Sequence, residues 1–288
     1  MYSASITILL PCYNSSATIK KCLISLKSQT FSNFICFLLD NCSQDNTLQE
    51  IQSVVGDDAR FCLSSNSSNQ GAPHSFFCLL ERVTTQYVMY LASDDYLDPG
   101  CLRHLYLELQ ANPKTICASP KTQRFRHDGF KSVSDGTYSI VANNAFVRQW
   151  KYFLRLTDNS RFYGLYRFSC LRHCNVLMNF FAADLVMTGL TLGYGNHVEV
   201  ASESSSPLLY RELPAGMSKY WTKDWSLKES FLEKSTLILS PFGSGIKCLF
   251  RYLTPLRFCA LLPVLILTNF RLSYCVVRAM LASNPRLR

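Results

Sequence analysis

The chain has 288 residues, 48% of them hydrophobic and 17% charged, which is ample for a packed core and excludes general disorder. Its formal net charge of +9 invites a nucleic-acid reading until the charge is located. After Glu233 there are eight basic residues and no acidic one, whereas the first 233 residues hold 21 basic against 20 acidic residues. The body is close to neutral, which argues against a nucleic-acid footprint on it.

Residues 6–10 are an aliphatic, β-branched run and read as a buried strand. Ser16 is the expected N-cap of a helix in which Ile19, Cys22, Leu23 and Leu26 recur at helical spacing. A second strand over 34–39 ends at Asp40, and a polar turn over 41–47 leads into a helix over 48–55. Residues 61–63 form a short strand and 64–71 a Ser/Asn-rich loop. The helix over 72–83 carries Phe76, Phe77, Leu79, Leu80 and Val83. The fourth strand, 87–91, ends in Ser93-Asp94-Asp95; a Pro99-Gly100 turn and a helix over 101–110 follow.

Strands alternating with short helices predict an α/β fold with a mostly parallel, Rossmann-like sheet flanked by helices on both faces. The alternation then weakens. Residues 115–118 suit a strand, 119–160 have no clean period, and 175–189 look helical with Asp184 in their midst. Short strands are expected at 197–201 and 208–212.

Thirteen cysteines, an odd number without a disulfide spacing and several inside apparent strands or helices, read as small hydrophobes in a reducing, cytoplasmic setting. No signal peptide is expected before Ile6. Cys170, His173 and Cys174 lack the second ligand pair that a zinc site needs. Residues 226–288 form a basic, apolar tail. Its uncharged stretch, 258–270, is broken by Pro263 and is short for a membrane span. With basic flanks and Tyr252 and Tyr274 nearby, the tail is expected to lie as helix in the interface of an acidic membrane, peripheral on its inner face. A buried C-terminal helical hairpin is the alternative.

Paired acids at a strand's carboxyl end lie where open α/β sheets bind ligands, and a hard cation held there can bridge to phosphates. Three other strand ends fall on the same edge: Pro11-Cys12-Tyr13-Asn14, Asp40, and the loop carrying Asn69-Gln70-Gly71. Tyr13 can stack on a base, Asp40 can accept from a base N–H, and Gly71 lets backbone approach a ligand. Singly, each is an ordinary turn feature. Together they describe a nucleotide site.

The segments from Ile6 to Asn14, Ser25 to Phe31, Leu39 to Thr47, Asn69 to Gly71, Tyr87 to Pro99, Phe180 to Asp184 and Leu209 to Leu213 resemble the family two inverting glycosyltransferases of the GT-A fold. The resemblance covers roughly residues 4–220. It implies a GT-A domain over 1–225, with a nucleotide half near 1–110 and an acceptor half near 111–225, followed by the tail. It further implies that Pro11, Tyr13 and Asp40 hold the base, usually uracil, with Asn14 and Gly71 counted among the substrate-binding residues. Asp95 then ligates Mg²⁺ or Mn²⁺, Asp94 lies near ribose and metal, and Asp184 is the catalytic base.

The expected activity is metal-dependent, inverting transfer of a hexose from a nucleotide-diphosphate sugar, UDP-sugar favoured, to a hydroxyl of a glycan or lipid-linked acceptor, as in surface polysaccharide synthesis. A cation on the leaving diphosphate and one carboxylate on the acceptor hydroxyl suffice for such a displacement. Some positions depart from the pattern: Asn41 stands for a second acid after Asp40, and Ala183 precedes Asp184 where many relatives have an acid. Asp158 is a rival base, and Arg211 is either near the diphosphate or on the surface. A nucleotidyltransferase would need a Gly-rich phosphate loop with Lys or Arg after the first strand, which residues 11–16 lack. A non-catalytic nucleotide- or sugar-binding, membrane-associated relative is the other alternative.

Overall fold

The computed structural model describes residues 4–125, 129–155, 158–174, 183–204 and 208–212. The expected tail, and the part of the expected helix over 175–182, lie outside these residues.

The elements in chain order are β1 (Ile6–Cys12), α1 (Ile19–Lys27), β2 (Phe34–Asp40), α2 (Thr47–Val55), β3 (Phe61–Ser65), α3 (Ala72–Leu80) and β4 (Tyr87–Tyr90). Next come β5 (Asp95–Leu97), α4 (Cys101–Ala111), β6 (Thr115–Pro120), β7 (Thr122–Phe125), β8 (Lys131–Val133) and α5 (Ala145–Leu154). A 3₁₀ turn at Ser160–Tyr163 leads to β9 (Leu165–Arg167), and α6 (Phe168–Leu171) follows. The described chain closes with α7 (Ala183–Thr191), β10 (Asn196–Val200) and β11 (Leu209–Glu212).

Seven strands form one sheet in the order β10-β6-β9-β4-β1-β2-β3, parallel except for β9, which runs against both β4 and β6. Strand side chains alternate between its faces. Ile6, Ile8 and Leu10 of β1, Cys36 and Leu38 of β2, and Tyr87 and Met89 of β4 pack with α1, α2 and α4. Leu9, Leu39, Val88 and Tyr90 face the opposite way and pack with α3, α5 and α7. Two apolar layers on one sheet explain why these strands read as continuous hydrophobic runs. Each fully buried aliphatic side chain contributes about 1.5–3 kcal/mol of burial.

The structure corrects three expectations. Ser16 is not the N-cap of α1: the cap is Thr18, Ser15 supplies the carbonyl to Thr18 N and Ile19 N, and Ser16 N instead donates to Asp45 Oδ2 at 3.1 Å. Asp94 and Asp95 do not sit on the end of β4. That strand stops at Tyr90, the chain turns, and Asp95 opens β5 in a second sheet ordered β5-β11-β7-β8. Finally, residues 119–160 hold β7, β8 and α5.

The segment from Ser25 to Phe31 has a structural task. Ser25 Oγ accepts from Leu97 N at 3.1 Å. Buried Gln29 donates through Nε2 to the Asp98 carbonyl at 2.7 Å and accepts from Leu102 N at 3.0 Å. The end of α1 therefore fixes β5, and with it Asp95. Among the described residues nine cysteines are free thiols, and no helix is long and apolar enough to cross a membrane.

Candidate active site

Parallel register brings the expected residues to one edge. Cys12 lies opposite Asp40 and Asp40 opposite Ser65, so the exits of β1, β2 and β3 are level. Pro11 is buried within β1, while Tyr13 just beyond it is 39% exposed, with its ring open to a ligand. Asn14 takes a left-handed φ of 48°, which Asn tolerates better than most residues. It joins the first two exits: Asn14 N donates to Ser43 Oγ at 2.9 Å, and Gln44 N donates to Asn14 Oδ1 at 2.8 Å. Asp40 is buried and accepts from Ser43 N at 3.1 Å and from the Ser43 hydroxyl.

Asn41, read from sequence only as a missing acid, organises the third loop. Its Oδ1 accepts from Asn66 Nδ2 at 2.8 Å and Gln70 N at 3.0 Å, and its Nδ2 donates to Asn69 Oδ1 at 2.6 Å. Asn69 Oδ1 accepts in turn from Gly71 N at 2.8 Å. Gly71 has φ +80°, and it hands the chain into α3. An aspartate side chain at position 41 would have no N–H to donate to Asn69.

Asp95 meets a partner that sequence left undecided. It lies opposite Arg211 in the antiparallel β5–β11 register. Arg211 donates from Nε at 3.2 Å and from one terminal nitrogen at 2.9 Å to Asp95 Oδ2. Its guanidinium carbon lies 3.9 Å from the centre of the Tyr163 ring. Burial works against the Arg211 charge, but Asp95 outweighs it and holds the guanidinium firmly protonated.

Asp184 stands in the first turn of α7, where the helix dipole favours a carboxylate. Its Oδ2 accepts from Asn159 Nδ2 at 2.7 Å. Burial pushes its carboxyl above the ordinary range, opposed by the Asn159 bond, by backbone amides of its own turn and by Arg211. The Tyr163 phenol is raised by burial; Arg211 opposes this, while the charges of Asp95, Asp94 and Asp184 add to it. Tyr163, under Arg211, ends the 3₁₀ turn that begins just after Asn159, so one short turn links the partner of Asp95 to the partner of Asp184.

Asp158 is spoken for elsewhere. It takes an ion pair from Arg124 at 3.2 Å, the Ser134 hydroxyl at 2.8 Å and Ser160 N at 2.9 Å. Burial raises its carboxyl, but Ser160, Ser134 and Arg124 together carry it below the usual range, which makes it a structural clamp rather than a base. Sequence reasoning also missed Asn159 and Tyr163, since neither a lone amide nor a lone phenol carries a pattern.

For a divalent ion the fitting donors are the adjacent carboxylates of Asp94 and Asp95. Among the described residues no group of three His, Cys, Asp or Glu side chains could hold a metal. Two carboxylates nevertheless suit Mg²⁺ or Mn²⁺ when a diphosphate and water supply the remaining oxygens. Such an ion contends with Arg211 for Asp95.

The family model for glycosyl transferase family 2 matches residues 7–174. Among curated relatives, the chain is 31% identical over 91 residues to the UDP-Glc:alpha-D-GlcNAc-diphosphoundecaprenol beta-1,3-glucosyltransferase WfaP of Escherichia coli, covering 32% of this chain and 36% of that one. The chain spans 37% or less of the length of the first curated relatives it matches. Among solved structures, residues 1–349 of S. aureus TarS in complex with UDP superpose with a TM-score of 0.59 at 17% identity, covering 95% of this chain and 91% of that one. The mannosyltransferase PcManGT of Pyrobaculum calidifontis, in complex with GDP-Man and Mn²⁺, gives a TM-score of 0.57 at 14% identity, covering 99% and 77%. At such identities these likenesses speak for the fold.

Proposed function

The chain belongs to glycosyl transferase family 2, and from that premise we propose that it moves a sugar, with inversion, from a nucleotide-diphosphate donor to a hydroxyl of a glycan or lipid-linked acceptor. A UDP-sugar is the favoured donor. The level exits of β1, β2 and β3 receive the nucleoside: Tyr13 stacks on the base, Asp40 accepts a base N–H, and Pro11, Asn14 and Gly71 shape the walls.

Asp94 and Asp95 would hold Mg²⁺ or Mn²⁺, which when bound neutralises charge on the leaving diphosphate. Arg211 adds a second, permanent positive charge beside that position. Asp184, its proton affinity raised by burial, takes the proton of the acceptor hydroxyl as the oxygen attacks the anomeric carbon. A single base on the face opposite the leaving group makes the displacement in-line and inverting. Residues 1–110 serve the donor and 111–225 the acceptor. The basic tail over 226–288 brings the domain to the inner membrane face, where a lipid-linked acceptor is presented.

One observation supports this reading: Arg211, paired to Asp95 at 2.9 Å, lies 3.9 Å from the Tyr163 ring, and Tyr163 ends the 3₁₀ turn that follows Asn159, the partner of Asp184. That short turn would bring the base and the leaving-group carboxylates of this proposal to one site. The test is turnover of UDP-sugars with Mn²⁺ by the full chain. Asp184→Asn is expected to lower kcat about 10²–10⁴-fold while diphosphate affinity is kept. Undiminished turnover in that variant would refute Asp184 as the base, and no turnover of any nucleotide sugar by the folded wild type would refute the transferase reading.

A further inference from the structure

We propose that Asn159 and Tyr152 are positioning residues for Asp184, a two-member relay that fixes which carboxylate oxygen meets the acceptor hydroxyl and keeps that carboxylate ionised. The inference rests on the role given to Asp184 above.

An amide has chemically different ends, so its orientation must be set by a neighbour. Asp184 and Tyr152 of α5 set it together: an ionised carboxylate only accepts, so the amide N–H turns to it, and the Tyr152 phenol meets the other end, its one proton shared between Asn159 Oδ1 at 3.1 Å and the Leu185 carbonyl at 3.2 Å. With Oδ1 thus engaged, Nδ2 faces Asp184 Oδ2 at 2.7 Å. Tyr152 is 2% exposed, and burial together with the Asp184 charge pushes its phenol well above the usual range, so it stays a donor at any working pH. Helix α7 is tied to α5 by the same hydroxyl, through Leu185. The relay thereby fixes the start of the helix as well as the amide.

The donor type matters. Three carboxylates receive two kinds of partner: Asp95 and Asp158 are each met by an arginine, whereas Asp184 is met by a neutral amide. A guanidinium quenches basicity. An uncharged N–H offsets desolvation in part and leaves the carboxylate able to take a proton. The other groups bearing on Asp184 are Tyr163 from the 3₁₀ turn and Arg211 from β11. Neither hydrogen-bonds to it, so neither orients its oxygens.

The test uses the full chain with Asn159→Ala and Tyr152→Phe. Titration of the Asp184 carboxyl is followed by infrared difference spectroscopy against Asp184→Asn. Removing a bond to the charged form raises the folded pKa. The carboxyl is therefore expected to titrate about one pH unit higher in Asn159→Ala and by a smaller upward shift in Tyr152→Phe. The acid limb of kcat for UDP-sugar turnover should move to higher pH by the same amount. Unchanged titration in both folded variants would overturn the relay, even if kcat fell, because a merely structural role lowers rate without moving the pKa. The spectroscopic arm needs no turnover, so it judges the relay even if the transferase reading fails.

Discussion

Replacing Arg211 with alanine tests how the second sheet holds its acid. The Asp95 side chain has no exposure and that of Arg211 is 18% exposed, so the pair is largely shielded from solvent. Removing one partner of a buried ion pair costs about 3–5 kcal/mol, because the remaining charge loses its compensation. The partial exposure of Arg211 places the expected loss at the lower end, about 3 kcal/mol, including its contact with the Tyr163 ring. For a domain of this size each kcal/mol moves Tm by about 2–4 °C, so a fall of roughly 6–12 °C is expected. Thermal unfolding without nucleotide, followed by circular dichroism, reads it directly. Arg211→Lys keeps the charge but not the fork, and should fall between. Asp95→Asn combined with Arg211→Met should cost less than the sum of the single changes, since neither charge is then stranded. A fall below about 3 °C for Arg211→Ala would mean that water screens the pair, and the claim that Arg211 holds Asp95 in place would be wrong.

Two further outcomes follow from the loop exits. Asn41→Ala removes hydrogen bonds to Asn66, Asn69 and Gln70; it should cost about 1–3 kcal/mol in urea unfolding and speed amide exchange over residues 66–71. Asp45 takes N–H bonds from Ser16 and Thr47, and its carboxyl lies at about 2 against an ordinary 3.8. Burial alone would raise it, so the bonds from Thr47 and Ser16 account for the drop. A depressed folded pKa stabilises above the unfolded value, and that contribution is lost as pH falls from about 4 toward about 2. Asp45→Asn should flatten the stability–pH curve in that window by about 1–2 kcal/mol after allowance for screening; an unchanged curve would contradict it.

The first half of the fold is legible in the sequence because its strands are buried on both faces and its helices present clean apolar stripes. The observed β2, β4, α2 and α4 start and end within one residue of the expected bounds, and β1 starts where expected but runs two residues further, to Cys12. Helix α5 escaped because its inner face is partly polar. Arg148 and Gln149 are buried there, donating to the carbonyls of Leu192 at 2.8 Å and Gly189 at 3.1 Å, and they interrupt the stripe that Phe146, Trp150 and Phe153 make at helical spacing. In the second sheet β11 falls within the strand expected at 208–212, but β5 and β8 with three residues each and β7 with four are too short to alternate visibly. Acids at a strand exit are easy to see in a sequence. That Asp95 would pair with a residue 116 positions away is set by tertiary register, which no local pattern encodes.

The central claim is tested most directly by calorimetric titration of the full chain with UDP, GDP, dTDP and CDP, each with and without Mn²⁺. Because Arg211 already occupies Asp95, Mn²⁺ alone should bind weakly, and one diphosphate, UDP foremost, should bind at least about tenfold more tightly with the metal than without. Failure of all four diphosphates to bind the folded protein, with or without Mn²⁺, would contradict a nucleotide-sugar transferase.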